Sequence, residues 1–197
     1  MQQNSKTNVR EDAILELANE YVLENRFKEA IDALNKIDDK KASIIVKTKA
    51  AYLKAYAFQS DNQTEAAIQA YRYYIIQYPT GEDRKAALTA LGNLYANKPD
   101  EFEKFITLEK ITDVNTSELE NTYYDAGENE YDKKKFADAI VGFQKYLDKY
   151  PKGRFNIQAN YYIAESYYHL QQDIKAKPYL QEVLDAKWND FSEDAAL

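Results

Sequence analysis

The stretch Asp138-Ala-Ile-Val-Gly-Phe-Gln-Lys-Tyr-Leu-Asp-Lys-Tyr-Pro-Lys-Gly153 has an echo earlier in the chain, Ala66-Ala-Ile-Gln-Ala-Tyr-Arg-Tyr-Tyr-Ile-Ile-Gln-Tyr-Pro-Thr-Gly81. Setting Pro79 on Pro151 also sets Ala67 on Ala139, Ile68 on Ile140, Tyr71 on Phe143, Tyr74 on Tyr146, Tyr78 on Tyr150 and Gly81 on Gly153, a displacement of 151 − 79 = 72 residues throughout. Small, aromatic and turn-forming residues are kept while the charged residues vary. Such a pattern repeats a packing solution, so it speaks to architecture before chemistry.

Working outward, the region from Glu11 to Asp38 carries Ile14, Leu17, Ala18 and Tyr21 at three- and four-residue spacing, then a polar Glu24-Asn25-Arg26 break, then Phe27, Ala30, Ile31, Leu34 and Ile37. This predicts two short amphipathic helices joined by a tight turn. Ala18 is matched downstream by Ala55, Gly92, Gly127 and Ala164, at intervals of 37, 37, 35 and 37. Ala30 in the second helix is matched by Ala67, Ala139 and Ala176. A small residue is needed where two helices cross closely, because a larger side chain pushes the axes beyond about 8–10 Å. Tyr21, Phe58, Tyr95 and Tyr167 each follow the first small residue by three positions. The 72-residue echo is therefore two periods, 37 + 35.

Composition agrees with a helical array. The chain has only 5 Gly and 4 Pro in 197 residues, too few for the frequent turns of a strand-rich domain. With 45% hydrophobic and 30% charged residues, the sequence can build a core and is not of disordered type. A formal net charge of −7, with no basic run longer than Lys133-Lys134-Lys135, argues against nucleic-acid binding, which depends on clustered Lys and Arg. Cysteine is absent, which excludes disulfides and thiolate zinc sites and is compatible with a reducing or an oxidising compartment. No apolar stretch approaches the roughly 20 residues that span a bilayer, and Met1 to Arg10 lacks the apolar segment of a signal peptide.

The pattern resembles the tetratricopeptide repeat. In that family the first helix of each unit, helix A, has a large apolar residue, a small pair and a Tyr, and helix B has an aromatic, an Ala, another aromatic and a terminal Pro. Ile14, Leu17, Ala18, Tyr21, Phe27, Ala30 and Leu34 fill it in the first unit, and Leu88, Leu91, Gly92 and Tyr95 fill helix A of the third. Phe136, Ala139, Phe143 and Pro151 fill helix B of the fourth, while Ile163, Ala164, Tyr167, Ala176 and Leu180 carry the fifth. The resemblance implies an all-α, right-handed superhelical solenoid of about five helix-turn-helix units over residues 11–191. Residues 1–10 are expected to be a disordered or vector-derived lead, and residues 192–197 the start of a further, truncated repeat or a cap. The third unit departs from the pattern, with Phe105 where Ala is expected and Asn97-Lys-Pro-Asp100 interrupting its approach; its helix pairing is expected to be looser or rotated. Tyr131 lies one residue off its aromatic position, and Pro178 falls near the first turn of the last helix B. The Tyr-Pro-x-Gly ends and paired tyrosines are similar in style to bacterial envelope members, an outer-membrane assembly lipoprotein and a cell-division coordinator, which implies a periplasmic or cell-envelope setting.

In the family, helix A positions two, five, nine and twelve line the concave face. That register places Asn19, Tyr52, Tyr56, Asn93, Tyr124, Glu128, Tyr161, Glu165 and Tyr168 on the partner-binding surface. Tyrosine suits recognition because it offers apolar area and a hydroxyl at low entropic cost, although aromatic rings are as often spent on packing between helices. The Lys that clamps a partner's C-terminal carboxylate in some members is replaced at the fifth helix A position by Leu15, Tyr52, Thr89, Tyr124 or Tyr161. A Tyr- and Glu-lined groove suits a basic or amphipathic segment instead.

Catalytic chemistry has little to work with. His169 is the sole histidine and sits at a helix A end, where a cation faces the dipole favourably. One His and no Cys assemble neither a nucleophilic triad nor a His-rich metal site, and acidic pairs such as Glu128 with Glu130 or Asp38 with Asp39 read as solvated helix faces. Phosphate-cradling Gly loops are missing. Asn62-Gln-Thr64 and Asn115-Thr-Ser117 match glycosylation sequons of a length that arises by chance. The expected function is a non-catalytic scaffold, without cofactor or metal, that binds a protein or peptide and forms part of a longer protein. Two other readings are a polysaccharide-handling helical enzyme or carbohydrate-binding module, with Glu128 and Glu165 as its acids, and a self-assembly module acting through exposed repeat ends.

Overall fold

A computed structural model describes residues 5–114, 116–186 and 191. The described residues form ten α-helices and no strand. Two compact units divide the chain, Met1–Leu94 and Tyr95–Leu197.

The first unit holds α1 (Ser5–Leu23), α2 (Phe27–Leu34), α3 (Ile44–Ser60), α4 (Thr64–Gln77) and α5 (Arg84–Leu94). The second holds α6 (Pro99–Leu108), α7 (Thr116–Asp132), α8 (Phe136–Lys149), α9 (Asn156–His169) and α10 (Asp173–Asp185). Helices pair as consecutive hairpins, α1 with α2, α3 with α4, α7 with α8 and α9 with α10, and the first helices of neighbouring hairpins touch, α1 on α3 and α7 on α9. This is the expected all-α repeat. The third repeat is the irregular one, since the division between the units falls between its helices α5 and α6. Phe105, where an Ala was expected, is buried in α6. Helix α1 begins at Ser5, within the segment 1–10 expected to be irregular; residues 192–197, expected to open another repeat or a cap, lie outside the described residues.

The hairpin turns explain the scarcity of glycine. Asn25, Asn62, Lys134 and Gln171 have positive φ of 58° to 59°, and each is followed by a residue whose N–H reaches back over five positions: Arg26 to Tyr21, Gln63 to Phe58, Lys135 to Glu130 and Gln172 to Tyr167. These are left-handed helix terminations. Asn tolerates that geometry well, whereas Lys134 and Gln171 accept a cost of about 1 kcal/mol for their Cβ.

The small residues lie where the helices cross. Ala18, Ala30, Ala55, Ala67 and Ala139 are fully buried, as nearly are Ala164 and Ala176. Between α7 and α8 the approach is closest: a Cβ on Gly127 would overlap the Phe143 ring, and one on Gly142 would overlap the backbone of Gly127. Two local expectations change. Leu17 is 47% exposed while Leu15 is buried, because the stripe anchored at Ala18 turns the neighbouring position inward. Pro178 sits in the second turn of α10 instead of its first, on an exposed side of the helix where Ile174 also faces out.

The Tyr-Pro-x-Gly ends are elbows that start the next helix. Tyr146 Oη accepts a hydrogen bond from Phe155 N at 2.9 Å, and Tyr74 Oη accepts one from Asp83 N at 3.2 Å, each at the residue before the following helix. Glycine is required because a Cβ on Gly81 or Gly153 would overlap that tyrosine hydroxyl. In the later elbow Tyr146 also donates to the buried Glu120 at 2.8 Å, and Glu120 accepts from Arg154 N at 2.6 Å and Arg154 Nε at 3.2 Å.

Candidate functional site: an acidic, tyrosine-lined face on α7 and α9

Each unit receives part of the predicted surface. In the first, Asn19, Tyr56 and Asn93 are exposed on α1, α3 and α5, and Tyr52 is half-buried. The Tyr52 ring meets Tyr71 and Tyr74 edge-on, with centroids 6.1 and 5.6 Å away. No carboxylate stands among these four positions.

The second unit gathers the others on neighbouring helices. Glu128 on α7 and Tyr161 and Glu165 on α9 are half-buried, and Tyr168 is 68% exposed. Tyr124 is different. It is only 6% exposed, stacked on Phe155 at 4.4 Å and packed against Phe143 and Tyr146, so its ring belongs to the core and only its hydroxyl, beside Glu128, borders the face. The physical reason is the apolar Phe155 at the start of α9, which closes over the ring.

Four residues absent from the predicted set complete the face. Asp125 lies one turn before Glu128 and Asp132 one turn after it, so α7 presents a stripe of acids at i, i+3 and i+7. That spacing is present in the sequence and is the signal that would have found them. Tyr131 donates to Glu165 Oε2 at 2.6 Å, bridging α7 to α9, and packs on Tyr162 at 4.8 Å. The one-residue displacement of Tyr131 has a use: Glu130 occupies the regular position and pairs with Lys133 and Lys135. Glu130 is thus no partner for Glu128.

Electrostatics mark the face more sharply than shape. Burial, then the neighbouring Glu128 charge, pushes the Asp125 carboxyl up to about 6. Burial and the Asp132 charge raise Glu128 as well, against a smaller lowering by the Tyr124 hydroxyl. Among the described residues no Lys or Arg pairs with Asp125 or Glu128. Half-buried carboxylates that repel one another are stabilised by a cation from outside. Elsewhere in the unit acids are paired: Asp100 with Lys145, and Glu103 with Lys149 at 2.7 Å, both also accepting from Tyr123. His169 stacks on Phe136 at 4.3 Å and is exposed at the end of α9. Among the described residues no cluster of three His, Cys, Asp or Glu side chains could hold a metal ion, and no helix is long and apolar enough to cross a membrane.

Consecutive helical hairpins with small crossing residues define a helical-repeat protein. The tetratricopeptide-repeat family model matches residues 49–81, 122–153 and 158–186, which are α3–α4, α7–α8 and α9–α10. The chain belongs to the tetratricopeptide-repeat family. Proteins of this family generally act as non-catalytic scaffolds for protein–protein interaction. Among solved structures the chain is similar to MamA MSR-1, at 19% identity and a TM-score of 0.45 over 89% of this chain and 95% of that one. It is also similar to MamA AMB-1, at 16% identity and a TM-score of 0.45 over 94% and 97%. A kinesin light chain-type protein of Podosopora anserina with nearly identical TPR-like repeats gives 15% identity and a TM-score of 0.41 over 93% and 95%. No curated protein matches significantly.

Proposed function

We propose that this protein is a non-catalytic scaffold that holds a basic or amphipathic segment of a protein partner on the face formed by α7 and α9. The observation that carries the reading is the pair Asp125 and Glu128, half-buried, raised by burial and by like charge, and without a cationic partner among the described residues. Lysine or arginine from a partner would relieve that repulsion, and the apolar side of the segment would lie along the exposed Tyr168 ring and the edge of Tyr161, which already carries this chain's own Phe191 at 4.9 Å. Tyr168, exposed one turn beyond Glu165, extends the same surface. The acids are better suited to charge pairing than to acid–base catalysis, because Glu165 is engaged by the Tyr131 hydroxyl and no histidine or metal cluster accompanies them.

The test is fluorescence anisotropy with a Lys-rich amphipathic peptide, comparing wild type with Asp125→Asn plus Glu128→Gln. The double variant should bind at least about tenfold more weakly, the equivalent of 1.4 kcal/mol, and wild-type affinity should fall as salt rises. Equal binding by the folded double variant would reject the assignment.

A further inference from the structure

The repeats differ on the other flank of the A helices as well. A cavity of about 570 Å³ opens between α2, α3 and α4 in the first unit, a volume typical of sites that take a ligand or a buried side chain. Its floor is alanine, from Ala50, Ala51, Ala66 and Ala70, and Phe58, Tyr73 and Tyr78 wall it. Lys47 and Lys54 also line it, both half-buried. At about 100° per residue they fall on the side of α3 turned away from Tyr52 and Tyr56, so this cavity is separate from the helix A face.

The later repeats show why the cavity exists. Ala30, Ala55 and Ala67 correspond to Ala139, Ala164 and Ala176, a displacement of 109 residues in each case. By the same displacement Ala70 corresponds to Tyr179 and Asn35 to Gln144. In the second unit Gln144 Nε2 donates to Tyr179 Oη at 2.8 Å, and the Tyr179 ring packs on Tyr167 at 5.8 Å, so a tyrosine bridges α8 to α10. In the first unit alanine stands in its place, and α2 is 8 residues long where α8 is 14.

The lysines give the cavity a chemistry. Neither Lys47 nor Lys54 forms an ion pair among the described residues, in a chain with 33 acidic against 26 basic side chains. The acid on the wall, Asp39, is exposed and lies near the Tyr78 hydroxyl. Two half-buried ammonium groups beside an aromatic-walled, alanine-floored cavity call for carboxylates flanking an apolar group. Their spacing is informative: seven residues of helix rise about 10.5 Å, the length of about three residues of extended chain.

We propose that this cavity docks an extended acidic segment of a partner protein, one bulky apolar side chain seated on the alanine floor and two carboxylates about three residues apart paired with Lys47 and Lys54. The probe is a labelled peptide, Gly-Ser-Glu-Phe-Gly-Glu-Ser-Gly, titrated with the intact protein by fluorescence anisotropy. Lys47→Gln plus Lys54→Gln should weaken binding at least about tenfold, as should replacing both peptide glutamates by glutamine. Ala70→Tyr, which builds into the first unit the ring that Tyr179 supplies in the second, should abolish binding while circular dichroism stays unchanged. If that variant fails to fold, the lysine pair still decides. Asp125→Asn plus Glu128→Gln should leave this peptide's binding unaltered, which separates the cavity from the α7–α9 face. The proposal is overturned if the peptide does not bind at millimolar concentration, if binding survives loss of the lysines, or if phenylacetate binds as tightly as the peptide, which would make the cavity a small-molecule pocket.

Discussion

Tyr52 and Tyr124 occupy the same position of repeats 72 residues apart, and one ring is half-buried while the other is closed into the core. Both rings touch the two aromatics of the following helix, Tyr71 and Tyr74 in one case, Phe143 and Tyr146 in the other. What differs is the residue at the start of the next A helix, Asp83 in the first unit and Phe155 in the second. Phe155 stacks on Tyr124 and completes a core; Asp83 leaves Tyr52 half in solvent, with its hydroxyl raised by burial and by the Asp83 charge. A single loop residue therefore decides whether a helix A tyrosine is structure or surface.

The largest effects are expected at the tyrosines themselves. Tyr124→Ala should cost about 3–4 kcal/mol and Tyr52→Ala about 1–2 kcal/mol, read from urea unfolding, because only the former empties a closed core. Equal costs would mean that Phe155 does not set the difference. The elbow glycines come next. Gly153→Ala should destabilise by about 3 kcal/mol and Gly81→Ala by about 2 kcal/mol, since the added Cβ meets the buried Glu120 carboxylate as well as the Tyr146 hydroxyl in one case and the Tyr74 hydroxyl in the other.

Exchanging the loop residues should move the two tyrosines in opposite directions. Asp83→Phe should cover Tyr52 and raise stability by about 1 kcal/mol, while Phe155→Asp should expose Tyr124 and make it titrate at lower pH by ultraviolet absorbance. The smallest effect concerns the acidic face. Asp125 has a folded pKa of about 6, above its unfolded value, so its ionised form opposes folding at neutral pH and the penalty fades as pH falls through 6. Asp125→Asn should therefore stabilise by on the order of 1 kcal/mol at pH 7, discounted for a half-solvated group. The gain should vanish near pH 3.5, where the carboxyl is protonated in both states.

Much of the architecture was legible because it rests on residues with few substitutes. Ala18, Ala55, Ala67 and Ala139 are fully buried on helices that pair as hairpins, and the Tyr-Pro-x-Gly ends are constrained by a hydroxyl that must pass a glycine. The site was read less completely. Helix register marks Glu128, Tyr161 and Glu165, but register alone carries no information on what covers a ring, and it places Tyr124 on the surface although Phe155, distant in sequence, stacks on it. Asp125 and Asp132 escaped for another reason. The family's concave-face register does not include their positions, and burial of Asp125 is a tertiary property that helix spacing alone does not carry.

A basic segment held on the α7–α9 face, as proposed, would be seen in amide chemical-shift mapping with the Lys-rich peptide. Perturbations should cluster on residues 125–132 and 161–168 and disappear in the Asp125→Asn plus Glu128→Gln variant. Shifts confined to other helices, or unchanged in that variant, would contradict it.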